Sequence, residues 1–178
     1  VPTKSQRLLS GEGIDYAAKT DEEITTWVSR LEKAGETRSP LYRRLIEERS
    51  SRQPPLLQTE VSLRHLTATA RSGKFTTYGD LAAANGAEWS KARHLMNGAH
   101  GHLDQLLDIC FARDLPLLPA ICVNKEGVRT GDLSPEALNG FAAGARRLGL
   151  EFGDDREFLR ECQQRCFEWA KAEKQIPS

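Results

Sequence analysis

The side chains with the most chemical capacity gather in the middle of this sequence. His94, His100, His102 and Cys110 fall within one short stretch, and imidazole and thiolate are the ligands zinc prefers. Their spacing matches no compact structural zinc site, so His100, His102 and Cys110 stand as candidate ligands and neither a metal nor another cofactor is assigned. Asp104 and Asp108 lie one helical turn apart, as paired acid–base carboxylates would. In a chain with 25 acidic residues such pairs arise by chance, and no nucleophile beside a base accompanies them. No catalytic residue is assigned, and the reading leans away from an enzyme. Cys162 and Cys166, one turn apart beside Phe158 and Trp169, read as buried core.

Recognition of phosphate and base is the other chemistry on offer. Ser72, Lys74, Thr76 and Thr77 precede a helix and bring hydroxyls, an ammonium group and backbone amides to its start, where phosphate can bind. The same hydroxyls serve equally as caps. Lys91, Arg93 and His94 form a basic set on a following helix, and Arg129 lies farther on. Lys and Arg together number 25 and so do Asp and Glu, so no global field draws in nucleic acid. Residues 61–131 carry eight basic against six acidic side chains and hold all four histidines, whereas residues 132–178 carry seven against nine. A nucleic-acid contact would have to be a local patch in the middle third.

These residues need elements to position them. Thr77 and Asp80 have the spacing of a capping box, with Asp in place of the usual Glu or Gln. The helix that follows would turn Leu81, Ala82 and Ala84 inward and stop at Asn85-Gly86. A second helix is expected over 88–96, with Trp89, Ala92 and Met96 on its buried stripe, so residues 72–98 outline a helix pair around a tight turn. Upstream, Thr20 followed by three acidic residues opens a helix burying Ile24, Trp27, Val28 and Leu31. Ser39-Pro40 opens another, with Leu41, Leu45 and Ile46 inward. A polar, proline-ended linker over 50–55 is the boundary candidate. Val61, Leu63, Leu66 and Ala70 imply a helix before the pair, and a helical period from Leu103 to Phe111 implies one after it. A strand over 119–124, a turn over 125–127 and a strand over 128–130 make a small hairpin, a wing to the helix pair. Ser134-Pro135 opens another helix, and a long one runs from 154 to about 172.

The runs Thr77-Tyr-Gly-Asp-Leu-Ala82, Lys91-Ala-Arg93 and Leu115-Pro-Leu-Leu-Pro119, the last leading to a strand and a glycine turn, together resemble the winged-helix domain of O6-alkylguanine-DNA alkyltransferases and alkyltransferase-like proteins. The resemblance covers residues 70–131. It implies that Tyr78 helps rotate a nucleotide out of the duplex and that Arg93 fills the gap. The family's Pro-Cys-His-Arg run would fall at about residues 118–121, where this chain reads Leu-Pro-Ala-Ile. Cys122 lies close by, but its neighbours offer no base to activate a thiolate, which disfavours alkyl transfer.

The expectation is a mainly α (α+β) chain: a helical extension over 1–55, then a winged-helix-like domain over 56–178 with a small β-hairpin and C-terminal helices. Its function would be noncatalytic binding of duplex DNA, modified duplex included, through Ser72, Lys74, Thr76, Thr77, Tyr78, Lys91, Arg93, His94 and Arg129. The alternative is a protein-interaction module built on a winged-helix scaffold, its helical flanks binding the partner, that regulates or inhibits a nucleic-acid or defence enzyme, favoured by flanks that are charge-balanced or acidic. A metal- or thiol-dependent enzyme comes third. The cysteines lack the density of a secreted disulfide scaffold and no long apolar run is present, so a cytoplasmic protein without a membrane span is expected.

Overall fold

A computed structural model describes residues 8–52 and 56–174 and is mainly helical, with one small parallel sheet. The proline-ended part of the expected linker, residues 53–55, lies outside the described residues. Among the described residues, a helical stretch at 8–10 and two complete helices precede it. Helix α1 (Asp21–Lys33) starts with a capping box in which Thr20 Oγ1 accepts from the Glu23 amide and Glu23 Oε2 accepts from the Thr20 amide. Helix α2 (Pro40–Ser51) begins at Ser39, whose Oγ accepts from the Tyr42 amide. Ser50 and Ser51, expected in the linker, are its last residues. Ile24, Val28, Leu41, Leu45 and Ile46 are buried as their spacing predicts, and Trp27 and Leu31 are half-buried.

Helix α3 (Thr59–Arg71) leads through a turn to β1 (Thr76–Thr77) and the helix pair α4 (Tyr78–Ala84) and α5 (Trp89–Met96). Helix α6 (His102–Ala112) follows, then a 3-10 turn (Leu118–Ile121), β2 (Cys122–Val123), a second 3-10 turn (Lys125–Gly127), α7 (Pro135–Arg147) and α8 (Asp155–Lys174). Helix α6 packs against α2, α3, α5 and α7, which explains why Leu106, Leu107, Ile109, Cys110 and Ala112 are all buried. The core is continuous from Ile24 in α1 to Ala170 in α8, so the helices before residue 52 share their apolar contacts with those after 56. Each fully buried Leu or Ile in it is worth about 2 kcal/mol of transfer free energy.

The expected hairpin is corrected. Strand β2 pairs not with 128–130 but with β1, in parallel, Thr76 opposite Cys122 and Thr77 opposite Val123. The segment after β2 turns back at once, with the Gly127 amide donating to the Asn124 carbonyl and the Thr130 amide to the Gly127 carbonyl. Two side chains impose this. Asn124 Oδ1 accepts from the Ser134 amide, tying β2 to the start of α7 across only ten residues. Gln163 of α8 donates from Nε2 to the carbonyls of Ala120 and Gly131. A Cβ at Gly127 would lie 2.0 Å from the Asp132 carbonyl oxygen, so only glycine allows so close a return.

Candidate nucleic-acid interface

The helix pair is built by local chemistry. Thr77 Oγ1 accepts from the Asp80 amide at 3.1 Å and the Thr77 amide donates to Asp80 Oδ2 at 3.3 Å, the reciprocal box the spacing predicts. Asn85 ends α4 and Gly86 takes φ +71°, the left-handed turn that sends the chain into α5. Leu81 and Ala82 are buried, but Ala84, expected on the same face, is exposed. On α5 only Ala92 and Met96 reach the core. Trp89, expected beside them, is the first residue of α5 and is 42% exposed, and Leu95 is 44% exposed. These two exposed apolar side chains are the surface feature that periodicity alone did not reveal.

A buried polar cluster holds the pair in place. Ser62 of α3 bonds through Oγ to His102 Nε2 of α6 at 2.7 Å and accepts from Asn85 Nδ2 at 2.9 Å. Asn85 Oδ1 accepts from the Gln58 amide, and Asn85 Nδ2 also donates to the Leu81 carbonyl. With Asn85 donating to Ser62, the hydroxyl proton is left for a neutral imidazole. Burial drives the His102 pKa down from 6.5 to about 4, in keeping with that assignment.

The residues expected to contact DNA divide into two groups. Lys91, Arg93 and His94 are exposed on α5. Lys91 Nζ lies 3.5 Å from Glu88 Oε2 in a well-solvated pair, and Arg93 Nε donates to His94 Nε2 at 3.3 Å. Lys74 is exposed before β1, and Arg129 is exposed beyond β2 with no ion-pair partner among the described residues. The hydroxyls are otherwise engaged. Ser72 donates to the Thr69 carbonyl at the end of α3, Thr77 caps α4, and Thr76 is buried with its Oγ1 2.8 Å from His65 Nε2. Thr76 takes its buried place from the β1–β2 ladder, where it lies opposite Cys122.

Tyr78 is half-buried and lines a cleft of about 550 Å³ bounded by the 97–100 turn, Leu103 and Leu107 of α6, Cys122 of β2 and Gly140 and Phe141 of α7. Burial, followed by the nearby Cys122, pushes the Tyr78 hydroxyl well above the usual tyrosine range. Cys122 reaches this cleft but is almost wholly buried, and burial with the charge of Asp80 holds its thiol protonated. His100 sits on the rim in the left-handed region, φ +62°, its amide donating to Asp104 Oδ2. His100, His102 and Cys110 do not converge: the first is exposed, the second is engaged with Ser62, and the third is buried two turns further along α6 with its thiol pushed up to about 12. No group of three or more His, Cys, Asp or Glu among the described residues could hold a metal ion.

Asp104 and Asp108, which spacing left as a chance pair, belong to a buried ion network. Arg147 of α7 pairs with Asp108, with Asp104 at 3.3 Å and with Glu32 of α1 at 2.6 Å, while Arg49 of α2 also pairs with Asp108. Nothing in the local sequence around Asp108 signals partners 39 and 59 residues away. No family model matches the chain, and no curated protein and no solved structure matches it.

Proposed function

We propose that the chain is a noncatalytic DNA-binding protein that lays the exposed face of α5 in a groove of the duplex. The observation that carries this reading is the helix pair itself: α5 is anchored by Ala92 and Met96 alone and exposes Lys91, Arg93 and His94. A short helix so thinly embedded can enter a groove without its own body colliding with the backbone. The Lys91–Glu88 pair is solvated and weak, so Lys91 can turn to a phosphate. Lys74 and Arg129 supply flanking contacts. Under the resemblance to alkyltransferase-like proteins, Tyr78 would take part in extruding a nucleotide and Arg93 would fill the gap; the cleft beside Tyr78 supports that extension. The buried, protonated Cys122 speaks against alkyl transfer.

The test is a salt titration of binding to labelled duplex, single-stranded and alkylated DNA. Changing Lys91 and Arg93 together to Ala should weaken duplex binding at every sequence tried and make the slope of log K against log salt shallower by about 2. Unchanged affinity at fixed salt would end this reading. A second reading, a protein-interaction surface, is favoured by Trp89 and Leu95, whose exposure on α5 suits an apolar interface centre. Under that reading Trp89→Ala and Leu95→Ala abolish complex formation with a protein partner, and the basic pair is dispensable.

A further inference from the structure

A second cavity, of about 530 Å³, lies at the opposite end of α6 from the Tyr78 cleft, and the proposed DNA contact makes no use of it. We propose that it binds a small amphipathic anion: a carboxylate, sulfonate or phosphate-ester head on an aromatic or aliphatic body. Its floor is apolar, made by Leu117, Phe158 and Cys162, all buried, and Phe111 forms one side. Three guanidinium groups from three separate elements line it: Arg38 in the turn between α1 and α2, Arg43 on α2 and Arg165 on α8.

None of the three is locked by a strong partner. Arg38 lies 6.0 Å from the centre of the Phe111 ring and has no carboxylate partner among the described residues. Arg165 is 3.9 Å from Glu161, and both side chains are mostly exposed. Arg43 pairs with Asp114 at 2.8 Å, but the Asp114 side chain is well solvated. Exposed pairs of this kind contribute at most about 1 kcal/mol, so a ligand oxyanion can displace them. Asp114, Glu151 and Glu161 balance the three arginines, so the cavity has no net field to attract every anion. A bare ion gains little there; an anion that also brings apolar surface gains the burial of that surface on the floor. The wall around Arg38 is preformed, since Thr37 Oγ1 donates to the Leu148 carbonyl at 2.7 Å and Ser39 Oγ to the Glu36 carbonyl at 2.7 Å.

Two probes of nearly one shape test this: 1-anilinonaphthalene-8-sulfonate and its uncharged analogue N-phenyl-1-naphthylamine, titrated by fluorescence into the whole chain. The sulfonate should bind saturably, one per chain, at least about tenfold more tightly than the neutral analogue. Arg38→Ala combined with Arg165→Ala should remove that difference, whereas Arg156→Ala, which deletes an exposed guanidinium of α8 outside the cavity, should leave it intact. Free 2-naphthoate should displace the probe, and inorganic sulfate at the same concentration should not. Equal affinity for the two probes, or a double variant that keeps the tenfold preference, overturns the proposal. Near-UV circular dichroism guards against probe binding to a loosened fold. If the alanine variant changes that spectrum, Arg38→Gln with Arg165→Gln must show the same loss, and a retained preference in that pair overturns the proposal equally.

Discussion

His102 shows how surroundings set a residue's chemistry. The residue is 3% exposed, its ring bonded to Ser62 and neutral because burial disfavours the charge. With a folded pKa of about 4 against an ordinary 6.5, the native state binds fewer protons than the unfolded chain between those values, so stability rises with pH across that window. The contribution is fully present above 6.5, is lost as pH falls towards 4, and amounts to about 3 kcal/mol. Urea titrations at pH 7 and pH 4.5 should show this loss in the natural chain and a much flatter response in His102→Gln. An equal slope in the variant would remove His102 from the account. Cys122 gives the parallel case for thiols: its burial and the neighbouring Asp80 charge keep the reactive thiolate scarce. Iodoacetamide should alkylate it about a hundredfold or more slowly in the native protein than in urea. Rapid labelling of Cys122 in the native state would reopen the thiol chemistry that the missing Pro-Cys-His-Arg run argues against.

The elements that were legible in the chain are those fixed by near neighbours. Thr20 with Glu23, Ser39 with Pro40, Thr77 with Asp80, and Ser134 with Pro135 each place a helix start, because a cap needs only residues three apart. Thr77→Ala should therefore cost about 1 kcal/mol in a urea melt, and Thr77→Ser should restore most of it. A loss below a few tenths would mean that packing by Leu81 and Ala82, not the cap, holds α4. That the wing does not form was not legible, because what forbids it is distant: Asn124 bonds to Ser134 and Gln163 reaches across from α8. The short apolar run over 119–123 and the glycine turn suit a hairpin, yet these ties leave the chain no length for a second strand. The same limit applies to the site. Lys91, Arg93 and His94 were readable as an exposed set, but the exposure of Trp89 depends on how the start of α5 packs against distant elements. The close approach of α7 to α6 at Gly144, where a Cβ would lie 2.8 Å from Asp104 Oδ1, likewise has no local signature.

Across the whole molecule, Asp108 is one of the points where α1 and α2 meet the rest. Arg49 comes from α2, Arg147 from α7, and Arg147 continues to Glu32 on α1, so one carboxylate joins three elements to α6. Burial pushes the Asp108 carboxyl up while Arg147 and Arg49 pull it down, and its side chain is only 4% exposed. Such a network adds little net stability over a well-packed apolar substitute, but removing one member strands the others. Asp108→Ala should cost about 3–5 kcal/mol, since it takes the carboxylate from Arg49 and leaves Arg147 only Asp104 and Glu32. A loss under about 1 kcal/mol would mean that water reaches Arg49 and Arg147 and the network is in effect a surface one. The form of the transition also tests the division near residue 55. The apolar core runs without interruption from α1 to α8, so the weakened chain should still unfold in one step with fluorescence and circular dichroism transitions superimposed. Two separated transitions would instead show that α1 and α2 form an extension held on chiefly by charge. In that case Arg49→Ala should lower the first transition and spare the second.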